Sequence, residues 1–294
     1  MTRTLLAVSA AALALALAAC SQGDNANAPA ASPSSAASPS ATPSTSAEPG
    51  PSPGSTVSAE PSAPASESPS SSPSEAQPAL VYKMNKVYSI VPIDKAKTNA
   101  KVVLLTFDDG PKDKETLDPL LDALDKHQAK AIFFVNGYRA KAKPELLKEI
   151  DERGQTIGNH SWDHIKLGKE KPDKIRKQIE DVQKLVREIT GKTPVFFRPP
   201  HASANSDVHA IAKENGLLFM TWSNGSLDWD MAKIKEDKRP QAIVDNVLEQ
   251  LRNGSNILMH ELPWTAKGLD RLLTELEAKG YSFVDPAAID VKME

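Results

Sequence analysis

The chain has 294 residues, with 38 acidic and 35 basic side chains, a formal net charge of −3 and a single cysteine. One cysteine excludes an internal disulfide, so any exported domain must be stable on its core alone. The near balance of charge, with no basic stripe interleaved with aromatics, gives no basis for a nucleic-acid partner.

The N-terminus reads as a processing signal. Arg3 supplies a short positive region, Leu5 to Ala16 form an apolar stretch too short to span a bilayer, and Leu17-Ala18-Ala19-Cys20 ends in a small-residue site. That site resembles the lipobox of bacterial lipoproteins. The resemblance implies cleavage before Cys20, diacylglycerol on its sulfur and an extracytoplasmic protein anchored to a bacterial membrane. An ordinary secretory signal is the alternative. From Ser21 to Pro78 the chain is mostly Ser, Pro and Ala, with Asp24, Glu48, Glu60, Glu67 and Glu75 but no Lys or Arg. Such a composition buries too little apolar surface to offset ordering its backbone, so a disordered tether averaging roughly 40 Å end to end is expected. The expected organisation is a signal peptide at 1–19, the tether at 20–78, a short hairpin or cap at 79–100 and one folded domain at 101–294. That last stretch is long enough for one large core.

Within the folded part, strand-like runs fall at Lys101–Phe107, Lys130–Val135, Gln155–Asn159, Val195–Arg198, Leu217–Ser223, Asn256–Met259 and Tyr281–Val284. Amphipathic stretches alternate with them: Lys114–His127, a segment from Pro144 stopped by Gly154, Pro172–Thr190, Asn205–Asn215, Gln241–Arg252 and Ala266–Lys279. The alternation predicts a parallel sheet. Periodicity alone leaves both a closed barrel and an open doubly wound sheet. The polar motifs sit at the C-terminal ends of several different strands, which favours the barrel.

The most informative motif is Asp108-Asp109-Gly110-Pro111, closing the apolar run Val102–Phe107. Adjacent strand residues point to opposite faces, so both carboxylates reach one site only where the strand is ending; Gly110-Pro111 supplies that ending. His160 and His164 follow. If Trp162 to Lys166 begin a helical turn, the i, i+4 spacing puts both imidazoles on one face. One Asp and two His with a position left open is the pattern of a catalytic zinc site, and the spare carboxylate would act as base on a water there. The plain alternatives are a surface turn and a helix that carries His by chance.

Three further strings complete a series: Arg198-Pro199-Pro200-His201, Ser226-Leu227-Asp228-Trp229 and Ile257-Leu258-Met259-His260. Together the five resemble the motifs of the NodB-type polysaccharide deacetylases, carbohydrate esterase family 4, over about Lys101 to Val284. The resemblance to bacterial peptidoglycan deacetylases implies a distorted (β/α)7 barrel. It implies that Asp109, His160 and His164 hold a divalent metal, zinc with cobalt or nickel as alternatives, and that Asp108 is the base, steadied by Arg198. The His201 backbone N–H would bind the oxyanion. His260 would protonate the leaving amine, with Asp228 raising its pKa, while Leu258 and Trp229 line a pocket for the acetyl methyl. Two residues depart from the family pattern. His201 stands where Tyr is usual, and Gly225 stands where a second Asp is usual, a change expected to weaken the network around Arg198 and His260. Trp162, Trp222 and Trp264 are candidate faces for sugar rings, and His127 and His209 read as surface or packing histidines without a partner.

The activity so implied is metal-dependent removal of N-acetyl groups from an extracytoplasmic amino-sugar polysaccharide, peptidoglycan first, by a monomeric chain. Chitin-like or secondary wall polysaccharides and O-acetyl esters are alternative substrates. A carbohydrate-binding pseudoenzyme is the rival from another class.

Overall fold

The computed structural model describes residues 78–292. The signal, Cys20 and the tether up to residue 77 lie outside the described residues. Among the described residues, no helix is long and apolar enough to cross a membrane.

The strands are β1 (Tyr82–Met84), β2 (Ile90–Pro92), β3 (Val102–Gly110), β4 (Ala131–Val135), β5 (Thr156–Asn159), β6 (Phe196–Phe197), β7 (Leu218–Phe219), β8 (Asn224–Gly225), β9 (Ser255–His260), β10 (Ser282–Phe283) and β11 (Ile289–Asp290). The helices are α1 (Lys114–Lys126), α2 (Gly137–Ala142), α3 (Pro144–Glu152), α4 (Pro172–Thr190), α5 (Ser206–Glu214), α6 (Arg239–Glu249) and α7 (Pro263–Ala278). Local chemistry sets several helix ends. Asp113 accepts from the Thr116 N–H (2.8 Å) and Asn205 from the Val208 N–H (3.0 Å). Proline opens α3, α4 and α7, and Gly191 ends α4 at φ 76.

The main sheet runs β7-β6-β5-β4-β3-β9-β8 with all pairs parallel, and β10 pairs with the start of β3. Its two outermost strands, β7 and β8, are consecutive in the chain. The sheet therefore curls round until Met220–Ser223 bridges the edges, giving a distorted (β/α)7 barrel and excluding the open sheet. The run Leu217–Ser223, expected as one strand, is split by this bridge. Its first part follows β6 and its last part joins β9, through Met220 N–H to Phe197 O (2.9 Å) and Ser223 N–H to Asn256 O (3.1 Å).

Alternation along each strand divides the core. Val103, Leu105, Phe107, Phe133 and Val135 face the helices, packing on Leu117, Leu121, Leu147, Leu272 and Leu276. Val102, Leu104, Ile132, Phe134 and Phe196 fill the barrel interior together with Met220. Both faces of β3 are thus covered, as expected of a central parallel strand. Parity carries Thr106 and Asp108 onto the same inner face as Val102 and Leu104.

At the other end of the barrel, β1 and β2 form an antiparallel hairpin joined by β11. Ile90 and Ile289 enter the interior cluster. The Ile90 N–H donates to Gly254 O (2.8 Å), and a Cβ on residue 254 would lie 1.9 Å from Ile90 O, so that contact requires glycine. His127, expected without a partner, lies between two carboxylates of α7: Nε2 is 2.8 Å from Asp270 Oδ1 and Nδ1 2.9 Å from Glu277 Oε2. It ties α1 to α7. His209 packs on Phe219, with ring centroids 4.0 Å apart.

Candidate active site

At the C-terminal end of the barrel, Asp108, Asp109, His160, His164, His201 and His260 line one cavity of about 470 Å³, with Trp222, Trp229 and Leu258 on its walls. The strand ends that deliver these residues are those of β3, β5, β6, β8 and β9.

The two carboxylates reach the cavity by a bulge. The β3–β4 ladder continues to Gly110, with a register shift between Asp108 and Gly110, and Asp109 has φ 68. A left-handed residue inserted there rotates the Asp109 side chain toward the face Asp108 already occupies. The expectation that the strand simply ends at the pair is corrected accordingly: the ladder passes through it.

The histidine pair also differs from the sequence expectation. His160 to Lys166 form an irregular loop rather than a helical turn, with Ser161 at φ 62 and His164 at φ 55. The loop is held at several points. The His160 N–H donates to Val135 O (3.0 Å), Asn136 Nδ2 to His160 O (2.9 Å), and the Ser161 N–H to Asn159 Oδ1 (2.9 Å). Further along, the Asp163 N–H donates to Gln178 Oε1 (2.8 Å) and Gln178 Nε2 donates back to Asp163 Oδ2 (2.6 Å), pinning the loop to α4. The two imidazoles lie with centroids 5.1 Å apart. A left-handed turn thus achieves the convergence expected of a helix.

The donor set of Asp109, His160 and His164 has ligand atoms all within 4.8 Å of one another. Asp109 Oδ1 lies 3.0 Å from His164 Nε2 and 3.5 Å from His160 Nε2. Ligands about 2.05 Å from a tetrahedral ion would sit roughly 3.3 Å apart. His160 Nδ1 donates to the Arg198 carbonyl (2.7 Å), which fixes the tautomer that leaves the Nε2 lone pair facing the carboxylate. Burial lowers the His160 pKa despite the charges of Asp108 and Asp109, favouring the neutral imidazole a metal needs. For Asp109, burial acts upward, but the His164 imidazole and the charges of His160 and His260 hold it well below the usual carboxylate range. An anionic oxygen and an imidazole lone pair converge here, an arrangement that a divalent cation stabilises. The residues present fit one.

Asp108 is buried on the other side of this set, with Oδ2 3.7 Å from His160 Nε2. Arg198, fully buried, donates from Nη1 to Asp108 Oδ1 (2.6 Å) and to Thr106 Oγ1 (2.9 Å). Its Nη2 donates to Thr221 O (2.9 Å) and Asn256 Oδ1 (3.3 Å), and its guanidinium lies over the Phe134 ring, 4.3 Å from the centroid. Both terminal nitrogens of Arg198 are thus paired without an acid at residue 225, while its buried Nε has no hydrogen-bond partner among the described residues. A Cβ on residue 225 would point instead at Trp229 and Trp222, 3.5 and 3.7 Å away.

Opposite stands His260. Its Nδ1 donates to Asp228 Oδ1 (2.8 Å), its own N–H donates to Asp228 Oδ2 (2.7 Å), and Thr265 Oγ1 donates to that same oxygen (2.7 Å). Burial alone would lower the His260 pKa. The hydrogen bond and charge of Asp228 outweigh it, so the imidazole is raised above its ordinary value. Trp264 Nε1 donates to Asp228 O (2.8 Å) and Arg239 stacks on its ring, so Trp264 braces the site instead of offering a sugar face. Trp162 is likewise structural, packed over Gly137, where a Cβ would meet its ring at 2.3 Å. Trp222 does line the cavity, edge-on to Trp229.

His201 has φ 56 and lines the cavity, and its N–H makes no hydrogen bond to the described residues. Its ring meets that of His164 edge-on, with centroids 4.6 Å apart.

Sequence reasoning missed Thr106, Asn256, Thr265 and Glu261. Thr106 and Asn256 carried a usable signal, being polar residues within otherwise apolar strand runs. Glu261 is fully buried, and burial pushes its carboxyl up to about 7 although the Lys112 N–H and charge act the other way.

Residues 95–220 match the family model described as polysaccharide deacetylase. The chain is 38% identical over 193 residues to the peptidoglycan-N-acetylglucosamine deacetylase PgdA of Listeria monocytogenes, covering 65% of this chain but only 39% of that protein's length. The structure of the peptidoglycan deacetylase PdaC of Bacillus subtilis superposes with a TM-score of 0.58 at 33% identity, over 64% of this chain and 89% of that one. A carbohydrate esterase family 4 pseudoenzyme from Bacillus anthracis gives 0.60 at 27% identity, over 65% and 67%.

Proposed function

Because the chain belongs to the polysaccharide deacetylase family, we propose that it hydrolyses N-acetyl groups from an amino-sugar polymer, peptidoglycan first, with a divalent metal as cofactor. The observation that carries this reading is the convergence of three separately braced units on one cavity: the Asp109, His160 and His164 set, Asp108 with Arg198, and His260 with Asp228.

Asp109, His160 and His164 would hold the metal, zinc being the first candidate and cobalt or nickel the alternatives. The chemistry such an ion supplies when bound is that of a Lewis acid, polarising a carbonyl and acidifying water. The remaining work falls to the chain. Asp108 is held by the Arg198 fork with Oδ2 toward the donor set, which suits it to take a proton from an attacking water. The free His201 N–H is placed to donate to the oxygen that becomes negative as the acetamide carbon turns tetrahedral. His260, kept protonated by Asp228, gives its Nε2 proton to the departing nitrogen. Leu258 and Trp229 form the apolar wall for the acetyl methyl.

This reading is tested by incubating the full chain plus zinc with peptidoglycan, chitin oligomers and acetylated xylan, then identifying the deacetylated sugar by mass spectrometry. Acetate from xylan alone would make the protein an O-esterase, and no acetate with metal bound would make it a pseudoenzyme. Asp108→Asn is expected to bind metal normally and lose ~10²–10⁴-fold in kcat. We place the activity outside the cytoplasm, on a lipid-modified Cys20 at the head of the Ser/Pro/Ala tether; the support for that placement is sequence alone.

A further inference from the structure

Glu261 follows the proposed acid directly, yet the mechanism above gives it no task. It is fully buried at the back of the Asp108–Lys112 segment and touches that segment three times. Its backbone N–H donates to Asp108 O (3.3 Å) and its Oε2 accepts from the Lys112 N–H (3.0 Å). Its carboxyl also lies flat against Gly110, where a Cβ would be 1.6 Å from Oε1 and 2.5 Å from Cδ. Residue 110 must therefore be glycine if Glu261 is to keep this place.

A carboxyl group buried this deeply is costly, and a core leucine would avoid that cost. What it grips explains the choice. Between its two hydrogen bonds lies Asp109, an aspartate at φ 68, a region in which residues with a Cβ stay only when their surroundings hold them. The strand ladder holds both sides of the turn, pairing Asp108 with Phe134 and His260 and Gly110 with Val135, and two further bonds lie outside it. The Asn136 N–H donates to Gly110 O (3.0 Å), and the Lys143 ammonium donates to Lys112 O. With those two, Glu261 ties the far side of the bulge to β9.

We propose that Glu261 is a positioning residue that clamps the Asp109 bulge, setting the direction of the Asp109 carboxylate and hence the affinity of the metal site. The inference rests on the reading of Asp109, His160 and His164 as metal ligands. It links two parts of the site: the strand end that carries His260 also fixes the ligand across the cavity.

The experiment is zinc titration by calorimetry of the full chain, stripped with a chelator, as wild type, Glu261→Gln and Glu261→Asp. Glutamine retains an oxygen at the same reach and is expected to bind within about threefold of wild type. Aspartate is one methylene too short to reach the Lys112 N–H, and loss of a group supporting a metal ligand typically weakens affinity 10–100-fold, so its Kd should rise by ~10-fold or more. Both changes are small enough for circular dichroism to verify the fold. Wild-type affinity in Glu261→Asp would overturn the clamp, as would an equal loss in both variants. If the wild-type chain itself binds no divalent ion, the reading of the metal site fails instead.

Discussion

Two neighbouring residues, His260 and Glu261, show how burial and a partner decide a side chain's state. Burial acts against the charged imidazole of His260, but Asp228, bonded to Nδ1 and to the backbone N–H, reverses the balance. A general acid works while protonated, so turnover should fall as pH rises through the elevated His260 pKa. Replacing Asp228 by Asn removes the charge with little change of shape. The alkaline limb of the kcat–pH profile should then move to lower pH; an unmoved limb would assign it to another group. For Glu261, burial raises the carboxyl from 4.5 to about 7. Between those values the folded state holds a proton that the unfolded state has released, so stability declines as pH rises across that window and is level above it. Glu261→Gln has no such loss. In urea melts of the metal-free protein its advantage over wild type should reach ~3 kcal/mol above pH 7 and vanish near pH 4.

At the level of elements, the seam between β7 and β8 does structural and chemical duty at once. No strand ladder crosses Met220–Ser223; side chains close it. Asn256 Nδ2 donates to Thr221 O (3.0 Å), and Arg198 Nη2 donates both to that oxygen and to Asn256 Oδ1. Asn256→Ala leaves buried polar groups short of partners, which should lower stability by about 1–3 kcal/mol. It should also loosen the fork on Asp108 and reduce kcat about tenfold or more. Gly191→Ala is the matched control. Gly191 ends α4 at φ 76 with nothing within 4 Å of a Cβ, so its loss should lower stability by about 1 kcal/mol through backbone strain and leave kcat unchanged. Urea denaturation and acetate release measured on both variants separate a seam that serves the site from one that only serves the fold.

For the whole molecule, we propose that the barrel works on a lipid anchor, and Cys20→Ala should move the protein from the membrane to the soluble fraction while leaving kcat and KM of the purified chain unchanged; continued sedimentation with membranes would refute the anchor. Within the barrel, the sequence by itself determined the alternation of strands and helices. Most helix bounds could be read within a few residues, because proline starts, glycine stops and apolar stripes are local signals, and α4 begins and ends at the expected Pro172 and Thr190. It also singled out the carboxylates and imidazoles that line one cavity, since such groups at the ends of apolar runs have no packing purpose there. Tertiary structure decided how those residues meet. The bulge at Asp109 and the left-handed turns at Ser161 and His164 place non-glycine residues at positive φ, which local propensity disfavours and only the surrounding hydrogen bonds sustain. It also decided the barrel against the open sheet, and Asn256 and Thr221 as partners for Arg198. Those outcomes depend on groups far apart in the chain: 58 residues separate Arg198 from Asn256, and one-dimensional periodicity contains no information about which distant strands become neighbours.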